Sequence, residues 1–525
     1  MVAEVKIRSG TALTLREYLD TLAPGFGSAT EPPPWPPDAF ALAASVLQRS
    51  DAYSYVLRKW QPRSEWNSFI SDVGSRWRRA VNTEIGVPRE VRRWWHLVTA
   101  AGDTRLDRVR NTPVLCRALL QLCAAADEAS LGVGIPDPDV EPDRFLLQAH
   151  RRLLLREKAT LCKQISSSRL VVLPKLHTPR SGITLRSLTH HLALWHPGEV
   201  YAKWVWAPWL PKTHGLNLLL LPWPDVVTPR AFRECEGELS NLPSGFGFFT
   251  CDAGGDPNQL LNRLLRAKRS AEAVAGHVDA IILPEMSLSR NEPSEFCRRT
   301  RALIIGGHGK ASRGGRPGSN SVVFAVPVGR AVTKWDQRKH HRWRIDSGQI
   351  HQYGLGGRLD PMKQWWEHIR LTSRRLTFWS INSWLTMYVL ICEDLARPDP
   401  VADLVRAVGP NLVVAPLMDG PQLGSRWSAR AAAVLADDPG CSVLTLTSIG
   451  MALLSCPPGK AQSRVVALWK DARTGTPLEL ELGVGAAGLL LNLTREVVEE
   501  WTADGRSDGG ATGYLLLNGV HQVYV

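Results

Sequence analysis

The sequence predicts an α/β protein, with a helix-covered sheet over residues 213–525 preceded by a mostly α-helical N-terminal region. Three observations carry this. From Leu216 onward, short apolar runs rich in β-formers alternate with helix-length amphipathic stretches. Before residue 167 the apolar residues recur at helical spacing instead, punctuated by Gly and Pro. The 525-residue chain, 44% hydrophobic and 22% charged, has ordinary globular composition and is long enough for several domains. The expected organisation is a helical region over 1–166, a bridging segment over 167–212 and an α/β domain over 213–525.

After the proline run EPPPWPPD, which is expected to be extended, helices are predicted over 39–60, 64–82, 88–101, 110–130 and 141–166. In the bridging segment, RLVVLPKLHT and YAKWVWAPWL read as β-rich stretches flanking a helix at 184–195. The α/β series then runs LNLLLLPWP (216–224, strand), 258–276 (helix), VDAIILPEM (278–286, strand), ALIIGGHG (302–309) and SVVFAVP (321–327). A hairpin of RLTFWSI and LTMYVLIC around Asn382-Ser383 follows, then a helix near 400–408 and NLVVAPLMD (411–419). A helix over 425–437, CSVLTLTSIG, SRVVALWKD and AGLLLNLT complete it. No repeat of fixed period is evident.

Composition narrows the function. No window approaches the roughly 18–20 apolar residues of a membrane span, and MVAEVKIRSG carries no apolar leader core, so a soluble, cytoplasmic protein is expected. The nine cysteines include no CxxC pair, which signals neither a zinc knuckle nor a disulfide framework. No cofactor or metal is expected. A net charge of +13 with 20 Trp is compatible with nucleic acid, since arginines neutralise phosphates and indoles stack on bases. Arg76-Trp77-Arg78-Arg79 and Arg92-Arg93-Trp94-Trp95 are the densest examples. They read equally as arginines covering indole faces on amphipathic helices, and no RRM, KH or zinc-finger pattern accompanies them.

The stretch YVLICEDLARP (388–398) concentrates the chemistry. A structural cysteine behaves as a small hydrophobe, yet Cys392 is followed at once by Glu393 and Asp394. A strand ending at Cys392 and turning would present the thiol at the carboxyl edge of a sheet, where α/β folds bind ligands. Such a thiol needs a base or a positive neighbour to act as a nucleophile. Glu285, ending IILPEM, can be the base. Lys339 in RKHH can hold charge beside the thiolate and donate to the oxyanion formed on a carbonyl or nitrile carbon, with the backbone N–H of Glu393 as second donor.

In LPE, RKHH and CED, taken in that order over residues 213–525, the sequence resembles the nitrilase, or carbon–nitrogen hydrolase, superfamily. The resemblance implies an α/β/β/α sandwich that hydrolyses a non-peptide amide or nitrile through a thioester on the cysteine. Glu285 would be general base, Lys339 the stabilising cation and Cys392 the nucleophile. It also implies assembly as a homodimer or larger oligomer. The family's second glutamate, a few residues after the lysine, is missing; Asp346 is the nearest substitute, with Gln349 and Glu367 as weaker ones. The Trp-rich KQWWEHI reads as an insertion that walls the pocket. Two alternatives remain. One is a caspase-like cysteine protease using His308 with Cys392. The other is a catalytically silent module holding a nucleic acid or protein partner, as some nitrilase-like domains are attached to nucleic-acid enzymes in bacterial defence genes.

Overall fold

Thr14 and Glu17 cap each other reciprocally and start the first helix, α1 (Leu15–Leu22). Prolines open α2 (Pro36–Arg49) and α5 (Pro113–Ala129), where a missing N–H costs nothing. Between them lie α3 (Trp66–Thr83) and α4 (Arg89–Ala100). The computed structural model describes residues 13–53, 56, 65–83, 86–131, 170–172, 175, 193–195, 200–206, 215–235, 243–289, 292–372, 374–381, 384–397, 401–456, 461–510 and 512–525. No helix among these is long and apolar enough to cross a membrane. The chain divides into two compact units: Met1–Gly198 with Val498–Thr512, and Glu199–Val497 with Gly513–Val525.

In the first unit α2, α3 and α4 pack around α5, whose alanines and leucines are almost entirely buried. Close approach is enforced at Gly74 of α3, where a Cβ would stand 2.6 Å from the Glu128 side chain. Trp77 and Trp95 are fully buried, and their indole N–H groups donate to the Pro34 and Ala29 carbonyls at 2.9 and 3.0 Å. These two indoles are core, so they offer no face for stacking bases. The helix expected over 39–60 is interrupted after Arg49, where Asp51 takes a φ of 56°, and Ala52, Tyr53 and Val56 are helical again. Of the helix expected over 184–195 only 193–195 is described. It is a strand, β2 (Ala193–Trp195), antiparallel to β1 (Leu170–Val172). The helix expected over 141–166 lies outside the described residues, as does Asn382-Ser383.

A buried charge network closes this unit. Arg506 donates to Asp504 (2.9 Å), Glu128 (3.0 Å) and Asp127 (2.7 Å). Lys175 lies 2.6 Å from the Asp127 carboxylate, and the Trp66 indole donates to Asp504 at 3.0 Å.

The second unit begins with β3 (Val200–Trp206), which lies within the bridging segment of the sequence reading but joins a large sheet here. Then come β4 (Gly215–Leu220), β5 (Phe232–Glu234), β6 (Phe246–Cys251), α6 (Pro257–Ala275), β7 (Ala280–Leu288), α7 (Glu292–Thr300), β8 (Leu303–Lys310), β9 (Ser319–Val328) and β10 (Ala331–Arg338). The middle of the unit holds β11 (Arg344–Ile345), α8 (Ser347–Gln352), β12 (Gln364–Glu367), β13 (Arg374–Ser380), β14 (Thr386–Val389), α9 (Glu393–Ala396), α10 (Ala402–Val408) and β15 (Leu412–Pro416). It ends with α11 (Trp427–Asp437), β16 (Ser442–Leu446), α12 (Ile449–Leu454), β17 (Val465–Lys470), β18 (Leu478–Glu481), β19 (Gly488–Val498) and β20 (Thr512–Val523).

Two seven-stranded sheets form, ordered β10-β9-β8-β7-β4-β19-β20 and β18-β17-β16-β15-β14-β13-β3. They pack face to face through β7 on β15 and β16, and through β10 on β13. Helices α6 and α7 cover the first sheet and α11 the second, giving an α/β/β/α sandwich. The central strands read as continuous apolar runs because both faces are covered; β15, β16 and β17 are buried at every residue. A smaller four-stranded sheet, β11-β12-β6-β5, absorbs the Trp-rich segment: Trp365 of β12 is fully buried, and Gly247 of the paired strand leaves room for its ring.

Candidate active site

Four strands deliver the polar groups. Glu285 sits in β7 where its pairing with β8 is irregular, just before Met286 at a φ of 55°. The Gly306-Gly307 pair of β8 makes this possible, since a Cβ on Gly307 would lie 2.4 Å from the Glu285 Cα. Lys339 follows β10, and its N–H donates to the Asn320 carbonyl at 3.0 Å, which sets it opposite Asn320 of β9. Glu367 ends β12. Cys392 extends the β14 ladder, donating its N–H to Pro416 at 3.1 Å, and then turns with φ 49° and ψ −107° into α9. A non-glycine residue at positive φ is uncommon and costs of order 1–3 kcal/mol unless its surroundings hold it.

Lys339 ties the cluster together. Its Nζ lies 2.8 Å from Glu285 Oε1 and 2.7 Å from Glu367 Oε2. Asn320 Nδ2 donates to both carboxylates as well, at 2.7 and 2.8 Å, and the Trp343 N–H donates to Glu367 at 3.1 Å. Glu285 Oε2 is buried without a hydrogen-bond partner among the described residues. Cys392, 3% exposed, lines a cavity of about 360 Å³ with Trp343, Asp346, Gln349, Asp419 and Trp427. Across that cavity Asp419 is fixed by Arg426 (2.7 and 2.8 Å), Tyr353 (2.8 Å) and Trp427 (3.1 Å).

The electrostatics follow from burial and the shared cation. Burial pushes the Glu285 carboxyl above the ordinary glutamate value; Lys339 opposes this and Glu367 adds to it. Burial alone would lower Lys339, but Glu285, Glu367 and Cys392 reverse it and hold the ammonium well above the usual lysine range. The Cys392 thiol is driven well above its usual value, first by burial and then by Glu285, with Lys339 pulling the other way. Burial and Glu285 therefore favour the thiol form at rest, against the pull of Lys339.

Of the residues singled out in sequence, Glu285 and Lys339 are hydrogen-bonded, and their charges act on Cys392. The Glu393 N–H stands at the first position of α9, where a helix leaves it without an intrahelical acceptor. Asp346 does not reach the lysine. It caps α8, accepting from the Gln349 N–H at 2.9 Å, and Glu367 makes the second carboxylate contact instead. His308 bonds Asp336 at 2.9 Å and does not line the cysteine cavity. Two roles were not assigned in the sequence, that of Asn320 and that of Asp394, the last residue of CED. Asn320 bridges the carboxylates, and buried Asp394 accepts from the His340 and His341 N–H groups at 3.2 and 2.8 Å, bolting the lysine segment to the helix that follows Cys392.

No protein-family model and no curated protein matches this chain. Solved structures do. Nit3 of Saccharomyces cerevisiae, described as a member of branch 10 of the nitrilase superfamily, is 11% identical with a TM-score of 0.31, covering 51% of this chain and 87% of its own. A carbon–nitrogen hydrolase from Helicobacter pylori G27 is 11% identical with a TM-score of 0.30, covering 58% and 88%. XC1258 from Xanthomonas campestris, described as a CN-hydrolase superfamily protein, is 16% identical with a TM-score of 0.26, covering 49% and 91%. At these TM-scores the likeness carries no conclusion of its own, and the α/β/β/α sandwich rests on the two sheets and their covering helices.

Proposed function

We propose that the protein hydrolyses a non-peptide carbon–nitrogen bond, in a small amide or nitrile, with Cys392 as nucleophile. The observation that carries this reading is the buried Lys339 held between Glu285 and Glu367, acting on a thiol that stands at a positive-φ turn on a cavity wall.

The steps follow from the proton count. Cys392 is a thiol at rest, and the unpartnered Glu285 Oε2 accepts its proton as sulfur attacks the amide carbon. The carbonyl π pair moves to oxygen. An ammonium offers three donors; two are engaged by the carboxylates, which leaves the third for the oxyanion beside the Glu393 N–H. The tetrahedral intermediate collapses, the C–N bond breaks, and Glu285 returns the proton to the leaving nitrogen, giving a thioester and an amine. Water then attacks the thioester with Glu285 again accepting a proton, releasing the acid and restoring the thiol. Glu367 and Asn320 keep the lysine and base in register throughout.

Intact-protein mass after incubation with a panel of amides and nitriles tests this. An acyl adduct on the wild type, mapped to Cys392 and absent from Cys392→Ala, is the expected result. No adduct and no released ammonia or amine across the panel would overturn it.

A further inference from the structure

A second cavity in the same unit has a different character. It is about 860 Å³, within the size range of ligand sites, and neither Cys392 nor any Trp, Tyr or Phe lines it. Five cations do: Lys310 at the end of β8, Arg313 and Arg316 in the loop that follows, Arg338 at the end of β10, and Arg370 beyond β12. All five are exposed. None has an ion-pair partner among the described residues, whereas the lining carboxylates are engaged: Asp336 with His308, Glu292 with Ser289, and Asp252 within 3.7 Å of Arg233.

The loop geometry makes this more than a basic surface. Arg313 and Arg316 exchange backbone hydrogen bonds at 3.3 and 3.1 Å and face each other across Gly314-Gly315. Both glycines sit at positive φ, 53° and 71°, as a tight hairpin turn of this hand requires. Like charges directly opposite each other destabilise a β pair, so the turn holds two guanidinium groups together against their repulsion. At the loop's far limb, a Cβ on Gly318 would lie 2.3 Å from the Lys310 carbonyl oxygen. The Arg370 N–H donates to the Gly318 carbonyl at 3.0 Å, which sets that arginine beside the same limb.

We propose that this cleft binds a small polyphosphate-bearing ligand of nucleoside-polyphosphate size through Lys310, Arg313, Arg316, Arg338 and Arg370. Guanidinium forks match phosphate oxygens, and several cations without carboxylate partners suit a ligand with several closely spaced negative charges. With no aromatic platform on which bases could stack, the cleft reads phosphates rather than bases. A nucleic-acid strand is thereby the weaker fit.

The test is calorimetric titration of the full chain with sodium tripolyphosphate, ATP and adenosine. Tripolyphosphate and ATP are expected to bind and adenosine not. Raising NaCl from about 50 mM to about 500 mM should weaken binding by about tenfold or more, because the cations are exposed to screening. The paired changes Arg313→Glu and Arg316→Glu, or Arg313→Ala and Arg316→Ala, should each lower affinity by about tenfold or more without altering the circular dichroism melt, since both side chains are exposed on a turn. Cys392→Ala should bind tripolyphosphate as the wild type does, which separates this inference from the hydrolase reading. Absence of binding by both tripolyphosphate and ATP at about 1 mM, corresponding to a gain of less than about 4 kcal/mol, would overturn the proposal. So would binding that survives the paired charge reversals, or binding of a dodecathymidylate strand without binding of tripolyphosphate.

Discussion

Each unit buries a cluster of charge beside a cysteine, and only the second sets its cysteine on a cavity wall. In the first unit Arg506 and Lys175 face Asp127, Glu128 and Asp504, close to Cys123. In the second, Lys339 faces Glu285 and Glu367 close to Cys392. Both thiols are pushed up by burial and by carboxylates. The difference lies in what opposes that push. Lys339 opposes it at Cys392, whereas among the described residues the charges acting on Cys123 are those of Asp127 and Asp504, which add to it. Cys123 is also an interior helical residue, while Cys392 is turned out of its ladder onto a cavity. Buried charge beside a thiol is common to both; a cation opposing the rise at the sulfur, a carboxylate oxygen without a partner among the described residues and an opened backbone turn distinguish Cys392.

The comparison can be broken most directly at the two cysteines. Cys392→Ala is expected to lower amide turnover by on the order of 10⁴-fold or more. Cys123→Ala should leave turnover unchanged while costing about 1 kcal/mol of stability for the small cavity it makes. Comparable kinetic losses in both variants would erase the distinction.

Arg506→Met is the corresponding cut in the first network. Removing one partner strands buried carboxylates, and a loss of about 3–5 kcal/mol in the urea unfolding of that unit is expected. Glu367→Gln sharpens the other side. The lysine keeps Glu285 but loses its second carboxylate, so turnover should fall by roughly 10²-fold, as displacement of a catalytic group does, with little change in melting temperature.

The pH profile gives a smaller effect. Because Glu285 is raised above the ordinary glutamate value, activity should be lost as pH falls through a midpoint above that value. Lys339, raised in the same direction, stays charged through the neutral and mildly alkaline range and adds no fall there. An acid limb at or below the usual glutamate pKa would argue against Glu285 as the base. The smallest effect concerns alkylation. Iodoacetamide should reach Cys392 before Cys123 or Cys441, but slowly, since the thiol is protonated at rest.

Much of this was legible in the sequence. The α/β alternation was, because strands buried on both faces leave unbroken apolar runs such as NLVVAP and SVVFAV. Glu285 and Cys392 could be picked out because each closes an apolar run, and Lys339 because it stands in the basic-aromatic segment RKHH. The second carboxylate was harder to place. Asp346 was favoured over Glu367 by its nearness to Lys339 in sequence, yet β12 pairs in parallel with β6 and returns Glu367 to the lysine from the far side of an intervening helix. Asn320 carried no charge to draw attention. Strand β10, AVTKWDQR, was overlooked because only one residue of this edge strand is buried, so the apolar signal is thin. Helix α1 was missed although the T-x-x-E capping signature stood at Thr14 and Glu17.

The excursion between β19 and β20 has a consequence for synthesis order. Arg506 is 378 residues downstream of Glu128, so at roughly 5–20 residues per second the helices made first wait roughly 20–75 s for their counter-ion. During that interval the whole sandwich sequence up to β19 has emerged, while Asp127 and Glu128 lack the guanidinium that neutralises them. The unit whose helices are made first is thus completed only after nearly all of the sandwich sequence, with β20 still to follow. A chain that ends before residue 506 lacks both the counter-ion of the first unit and the edge strand of the second.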